Sequence, residues 1–292
     1  MLRGLPYLER SLGTQVFTGF LLRNISYAHV SKTSLQRGTW SILFDIEQSG
    51  LEAFGINKVR NLISGSERVI TLGNGIDYAR YGRFALSIAY RKQIARTQEF
   101  AARINTGTAL TYGFLRRQRD VPYVRQFFGG GNSSLRGWQA RAIGPGAYIQ
   151  PPQNNTAGFI NFQQGNFKLE ANAELRSKLT NIWTTRLDGA IFVDAGNIWT
   201  WKVDASRPGS QFRFNQLKNT DGDVINEPFY RQIAINTGVG LRWDIGYVLL
   251  RVDMGIKLRN PYQIAGSYWP TNWRAGGLRR IDNFSLGLNY PF

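Results

Sequence analysis

The chain has 292 residues, 36 Lys and Arg against 19 Asp and Glu, a formal net charge of +17, one histidine and no cysteine. That excludes a disulfide framework, a thiolate metal site, a cysteine nucleophile and any two-histidine metal site within one chain. The basic balance admits nucleic acid, an anionic membrane surface or an acidic partner without choosing among them. No stretch approaches the ~18 consecutive apolar residues of a membrane helix. The opening MLRGLPYLERSLGTQ has charge but no apolar core behind it, so it does not read as a signal peptide. Either the protein is cytosolic or this chain is the later part of something longer.

Taken in chain order, period-two segments are expected at 14–28 (weak, with no assignable faces), 39–49, 80–91 and 98–112. They continue at 166–179, 182–199, 232–244, 248–259 and 282–292. In NFKLEANAELRSKL, Phe167, Leu169, Ala171, Ala173, Leu175 and Leu179 share one face, and Lys168, Glu170, Asn172, Glu174, Arg176 and Lys178 the other. A strand has this alternation and a helix does not. Ile233, Ile235, Val239, Leu241 and Trp243 likewise oppose Asn236, Gly238, Gly240, Arg242 and Asp244. Val248, Leu250, Val252, Met254, Ile256 and Leu258 oppose Arg251, Asp253, Lys257 and Arg259. The result is about nine strands, each near the ~10 residues of a membrane-spanning strand.

Short connections (31–38, 92–97, 179–181, 245–246) alternate with long ones (50–78, 113–164, 200–229, 260–281), the layout of an outer-membrane barrel. A soluble sandwich or lipocalin-like barrel also alternates. Two features favour the membrane. Charges recur on the polar face of nearly every strand, and Trp183, Trp199 and Trp243 stand near strand ends on the apolar face, where interfacial girdles sit.

The end of the chain, FSLGLNYPF, puts Phe284, Leu286, Leu288, Tyr290 and Phe292 on one face. It resembles the C-terminal signature of bacterial outer-membrane proteins, which the barrel assembly machinery reads as a strand edge. Leu286, Leu288, Tyr290 and Phe292 are the residues this implies. The physical logic is strand addition, with backbone groups giving affinity and alternate side chains specificity. A periplasmic end for this strand puts all four long connections outside.

The connection 113–164 contains FFGGGNSSLRGWQARAIGPGAY, and LDGAIFVDAGNIW follows at 187–199. Here the sequence resembles the BamA/TamA, or bacterial surface antigen, family of outer-membrane assembly factors. Leu135-Arg136-Gly137-Trp138 is similar to that family's Val-Arg-Gly-aromatic loop motif. Phe192-Val193-Asp194-Ala195-Gly196-Asn197 is similar to its signature on the thirteenth of sixteen strands. The stretch GGGNSSLRGWQARAIGPG and the final NYPF look most like the lipoprotein variant TamL of Bacteroidota. The resemblance implies an all-β transmembrane antiparallel barrel segment, about nine of sixteen strands, whose long loop folds into the lumen. It implies a latch in which Arg136 meets Asp194 and Glu174 on the inner wall. Both acids lie on polar faces by parity, and Gly137 is expected to allow a tight turn behind the arginine.

The implied function is non-enzymatic insertion or export at the outer membrane, with a passive porin or solute channel as the alternative. The implied partners are outer-membrane lipids and lipopolysaccharide, the barrel assembly machinery, and a TamB-like periplasmic protein reached through modules not seen here. No POTRA module, lipidated cysteine or cofactor is expected in 1–292, which reads as the C-terminal part of a barrel.

Other motifs carry less. Gly129-Gly130-Gly131 lacks the Lys-Ser/Thr of a P-loop, and Asn74-Gly75 is a turn signal. Asp188 and Asp194 would stand ~20 Å apart along one strand, too far for a glycosidase pair. His29 is expected near a short turn, with no serine partner. No aromatic–basic RNA-binding motif is present.

Overall fold

The computed structural model describes residues 15–16, 23–32, 37–65, 77–112, 120–149, 163–270 and 282–292. The alternating segments become nine strands: β1 (Asn24–Val30), β2 (Thr39–Ser49), β3 (Tyr81–Ala95), β4 (Gln98–Thr111), β5 (Phe167–Ile182), β6 (Thr185–Trp199), β7 (Ala234–Asp244), β8 (Leu249–Arg259) and β9 (Asn283–Leu288). They pair in sequence order into one sheet, antiparallel throughout. Among the described residues, no strand covers the outer edge of β1 or β9. Tight turns close the short connections: Trp183 adopts φ 54° between β5 and β6, and Gly246 φ 97° between β7 and β8.

Burial runs opposite to that of a soluble sandwich. Glu170, Asn172, Glu174 and Arg176 of β5, Asp188 and Asp194 of β6, and Arg242 of β7 are buried, while Leu175, Ile191, Val193, Val239 and Leu241 are exposed. A sheet that hides its charges and presents its aliphatic residues is stable where hydrocarbon covers the apolar face. The alternation alone left two solvents possible for that face; burial selects the membrane. The long connection after β4 supplies the cover on the polar side. It runs back along the inner wall, bridged to itself at Phe127↔Gly165 and Gly129↔Ile143, bonded to the wall where Asn172 Nδ2 donates to the Ser134 carbonyl at 3.0 Å, and packs Leu135, Trp138 and Ile143 with Ala234 of β7.

The structure departs from the sequence reading in four places. The first strand lies at Asn24–Val30 and not across 14–28; Gln15–Val16 instead pairs in parallel with Asp77–Tyr78. The connection after β2 opens with a helix, α1 (Leu51–Ser64), where only a loop was expected. Trp199 does not join an interfacial girdle. It is buried beneath the connection 200–233, where its indole N–H donates to Gln232 Oε1 at 2.6 Å and its ring lies against Phe167, Phe212 and Phe229. Trp183 and Trp243 remain exposed.

The fourth departure is at the end of the chain. β9 stops at Leu288, and Asn289 adopts φ 62°, a left-handed conformation that asparagine tolerates better than most residues. The turn removes Tyr290 and Phe292 from the face of Phe284, Leu286 and Leu288. Instead the Arg176 guanidinium lies 4.2 Å from the Tyr290 ring centroid and that of Arg103 lies 5.0 Å from Phe292, while Arg103 Nη1 donates to the Pro291 carbonyl at 3.0 Å. Two cation–π contacts on the polar wall outcompete the strand alternation here.

Candidate functional site

Sheet register builds the site in rows. One row across the inner face is Asn172, Asp194 and Asn236 on β5, β6 and β7. The next is Glu174, Phe192, Gly238 and Gly255 on β5 to β8. Arg136 descends onto these two rows from a turn closed by Gly131 N–H to the Trp138 carbonyl at 2.8 Å and Trp138 N–H to the Leu135 carbonyl at 3.1 Å. Ser134 Oγ is hydrogen-bonded to Glu170 at the base of the turn. Asn283 Nδ2 on β9 donates to the Arg136 carbonyl at 2.9 Å.

Arg136 is 1% exposed. Its Nε and backbone N–H both donate to Asp194 Oδ2, at 3.0 and 3.1 Å, and Nη2 donates to Asp194 Oδ1 at 2.8 Å. Nη1 donates to Glu174 Oε2 at 2.5 Å. The guanidinium is thus bidentate on one acid and bridged to a second, which a lysine could not reproduce. Burial works against its charge, but the bonds and fields of Asp194, Glu174 and Asp253 outweigh that and hold its pKa above the ordinary arginine value. Asp194 also accepts from Asn172 Nδ2 and Asn236 Nδ2, both at 2.9 Å, so the whole row converges on this carboxylate.

Gly137 stands at the motif for a different reason from the one expected. It takes no positive φ; an added Cβ would lie 2.6 Å from Asn236 Cβ. Close approach to the wall, and not a sharp turn, requires the glycine.

Several members of the site were not nominated from the sequence. Phe192 is fully buried and its ring lies 3.5 Å below the Arg136 guanidinium carbon. Gly238 makes room for that ring, since a Cβ there would meet Phe192 Cζ at 2.4 Å. Glu174 additionally accepts from Arg176 Nε at 2.9 Å and Arg242 Nη2 at 3.1 Å. Arg242 and Arg251 in turn hold Asp253 at 2.7 and 2.8 Å. Arg176 reaches Glu99 at 2.6 Å. Arg136, Arg176, Arg242 and Arg251 therefore balance Glu99, Glu174, Asp194 and Asp253 in one connected, largely buried network, the condition under which buried charges are tolerated. Parity placed most of these residues on the inner face but not in one cluster. The signal for the contacts was the run of glycines opposite them, which only paired strands align. Among the described residues no group of three or more His, Cys, Asp or Glu side chains is placed to hold a metal.

The ring under Arg136 makes a specific expectation. Phe192→Leu keeps an apolar filler but removes the π face, an interaction of about 0.5–2 kcal/mol. Protease protection of the loop 120–149 should fall measurably, though less than when the arginine itself is removed. Protection equal to that of the parent chain would reduce the ring to packing.

A meander of membrane-length strands with an apolar outer face, and a loop clasped to its charged inner face, defines a wall segment of an outer-membrane β-barrel. The Omp85 superfamily domain matches residues 67–289, and the chain belongs to that family. It is localised to the outer membrane of a Gram-negative bacterium.

The outer-membrane protein assembly factor BamA of Neisseria meningitidis serogroup B is 28% identical over 142 residues, covering 47% of this chain and 16% of that protein. Two solved structures overlap it with a TM-score of 0.49 each. BamA from Haemophilus ducreyi lacking POTRA domains 1–3 is 16% identical over 85% of this chain and 40% of its own. CdiB from Escherichia coli is 12% identical over 91% of this chain and 35% of its own. The chain thus spans less than half the length of each of these three proteins.

Proposed function

We propose that the chain is the C-terminal barrel portion of an outer-membrane assembly or translocation factor that acts mechanically and not as an enzyme. The observation that carries this reading is the clasp. A loop held across the inner wall by Arg136 on Asp194 and Glu174 braces the sheet from within, which an open solute channel does not require. The clasp also reaches the last strand. Asn132 Nδ2 donates to the Leu286 carbonyl at 2.8 Å, and Asn289 N–H bonds the Leu249 carbonyl. By alternation, the backbone groups of Leu288 and Phe284 and the N–H of Leu286 then point away from β8, toward the outer edge of β9, where Asn132 already caps the Leu286 carbonyl. A strand edge of this kind suits pairing with an incoming chain.

In this reading Arg136, Gly137, Glu174 and Asp194 form the latch, and Leu286, Leu288, Tyr290 and Phe292 belong to the segment read during the protein's own assembly. The segment 129–146 supports a TamL-like member, with a TamB-like periplasmic partner and outer-membrane lipid or lipopolysaccharide as its surroundings.

The test is insertion of an unfolded outer-membrane barrel into liposomes carrying this chain. The reading expects insertion faster than into empty liposomes, with the gain lost in Arg136→Ala. Steady single-channel conductance with no gain in insertion would replace it with the porin reading.

A further inference from the structure

Helix α1 begins directly after β2, at the end of the sheet where the long connections lie. Phe54 meets Tyr112 edge-on at 5.9 Å, the Arg80 guanidinium lies 6.0 Å from the Phe54 ring, Gln48 Nε2 donates to Glu52 Oε1 at 3.5 Å, and Asn57 is buried. Gln48 has the parity of Trp40 and Ile46, Arg80 that of Phe84, and Tyr112 that of Leu110. Gln48 belongs to the outward, hydrocarbon-facing set of β2, and Arg80 and Tyr112, one residue outside β3 and β4, continue that parity, Arg80 itself being buried. The helix therefore sits on the outer side of the rim and not over the lumen.

The side of α1 away from Phe54 and Asn57 is exposed. Ile56, Val59, Leu62 and Ile63 are 61, 58, 78 and 81% exposed, and Leu51 is exposed beside them. At 3.6 residues per turn these five fall within an arc of roughly 140°. Lys58 and Arg60 stand at its two margins, both exposed. The helix's acid, Glu52, falls within this arc but in the first turn, where it is half-buried and bonded to Gln48 of β2. A broad apolar arc edged by cations, continuous with an apolar wall already in hydrocarbon, has the form of a helix lying in a membrane interface. Long basic side chains at the margins reach headgroups while their stems cover apolar surface.

We propose that α1 is an interfacial helix. It beds Leu51, Ile56, Val59, Leu62 and Ile63 into the acyl boundary of the leaflet at the long-loop rim, with Lys58 and Arg60 on lipid phosphates. It anchors the rim of β2 and β3 to that leaflet. The inference depends on the membrane location of the wall and not on the assembly reading.

Because the chain has no cysteine, single cysteines report cleanly. I63C and, as a control on an exposed position of the connection 200–233, D221C would carry a polarity-sensitive fluorophore in the full chain, reconstituted in phosphatidylglycerol vesicles. The label at Ile63 should emit to the blue, be quenched by brominated acyl chains and be shielded from aqueous iodide; the label at Asp221 should behave oppositely. If I63C fails to fold, L62C carries the same expectation. Iodide quenching at Ile63 equal to that at Asp221, without bromine quenching, would overturn the proposal and leave the face to a protein partner. Replacing Lys58 and Arg60 by alanine should reduce bromine quenching at Ile63; unchanged quenching would overturn the role of the phosphates.

Discussion

Arg136→Ala should detach the loop 120–149 from the inner wall and expose it to protease under conditions where the parent chain is resistant. Removing one partner of a buried ion pair costs ~3–5 kcal/mol, because the remaining charge stays buried without compensation. The distances show which charge suffers. Glu174 keeps Arg176 and Arg242, whereas Asp194 keeps the amides of Asn172 and Asn236 and the backbone N–H of residue 136, all of them uncharged donors. Adding Asp194→Asn to Arg136→Ala should therefore recover part of the loss, and adding Glu174→Gln should recover less. Arg136→Lys should behave nearly as badly as alanine, since one ammonium cannot be bidentate on Asp194 and also span to Glu174. Limited proteolysis together with gel migration of unheated samples reads all four variants. Parent-like protection in Arg136→Ala would show that the loop is held by its apolar contacts alone.

Gly255→Ala should be the most damaging single-methyl change on β8. The added carbon would lie 2.5 Å from the Arg136 carbonyl oxygen and 2.8 Å from Gly137 Cα, both backbone atoms of the clasped turn. Neither can swing aside, so either the loop lifts or the strand shifts. Overpacking of this kind costs about 1–3 kcal/mol, and here it also lengthens the bonds to Asp194. Gly287→Ala is the internal control. Its carbon would meet Arg251 Nη2 at 2.7 Å, the far end of a flexible side chain that can yield. Thermal unfolding in detergent should show a clear loss for Gly255→Ala and little for Gly287→Ala. Equal shifts would mean that loop-to-wall contact distance does not limit stability.

Alternation is a local property, and the strands that spell it most plainly, β5, β7 and β8, form with the faces it gives. It could not choose between water and lipid for the apolar face, because period two is the same in both; burial of Glu174 and Asp194 beside exposed Ile191 and Val193 makes the choice. In β1 the alternation is too weak to set a boundary, and the strand lies further along the chain. Helix α1 was legible in principle from Ile56, Val59 and Ile63 at three- and four-residue spacing. The surrounding glycine and asparagine residues read instead as loop.

By itself the sequence determined which residues carry charge on the inner face; its two motifs nominated Arg136 and Asp194, and the family resemblance together with strand parity added Glu174. Only the tertiary structure decided what those residues touch. Phe192 under the guanidinium, Arg242 and Arg251 on Asp253, and the glycines that admit them come from strands far apart in the chain and meet through register. Register is a pairing between segments that no one segment encodes. The same reason explains Trp199 and the end of the chain. The parity of Trp199, Tyr290 and Phe292 points outward, but the loop over β6 and the arginines on β4 and β5 offer closer partners, and partners across the sheet outweigh a pattern along a single strand.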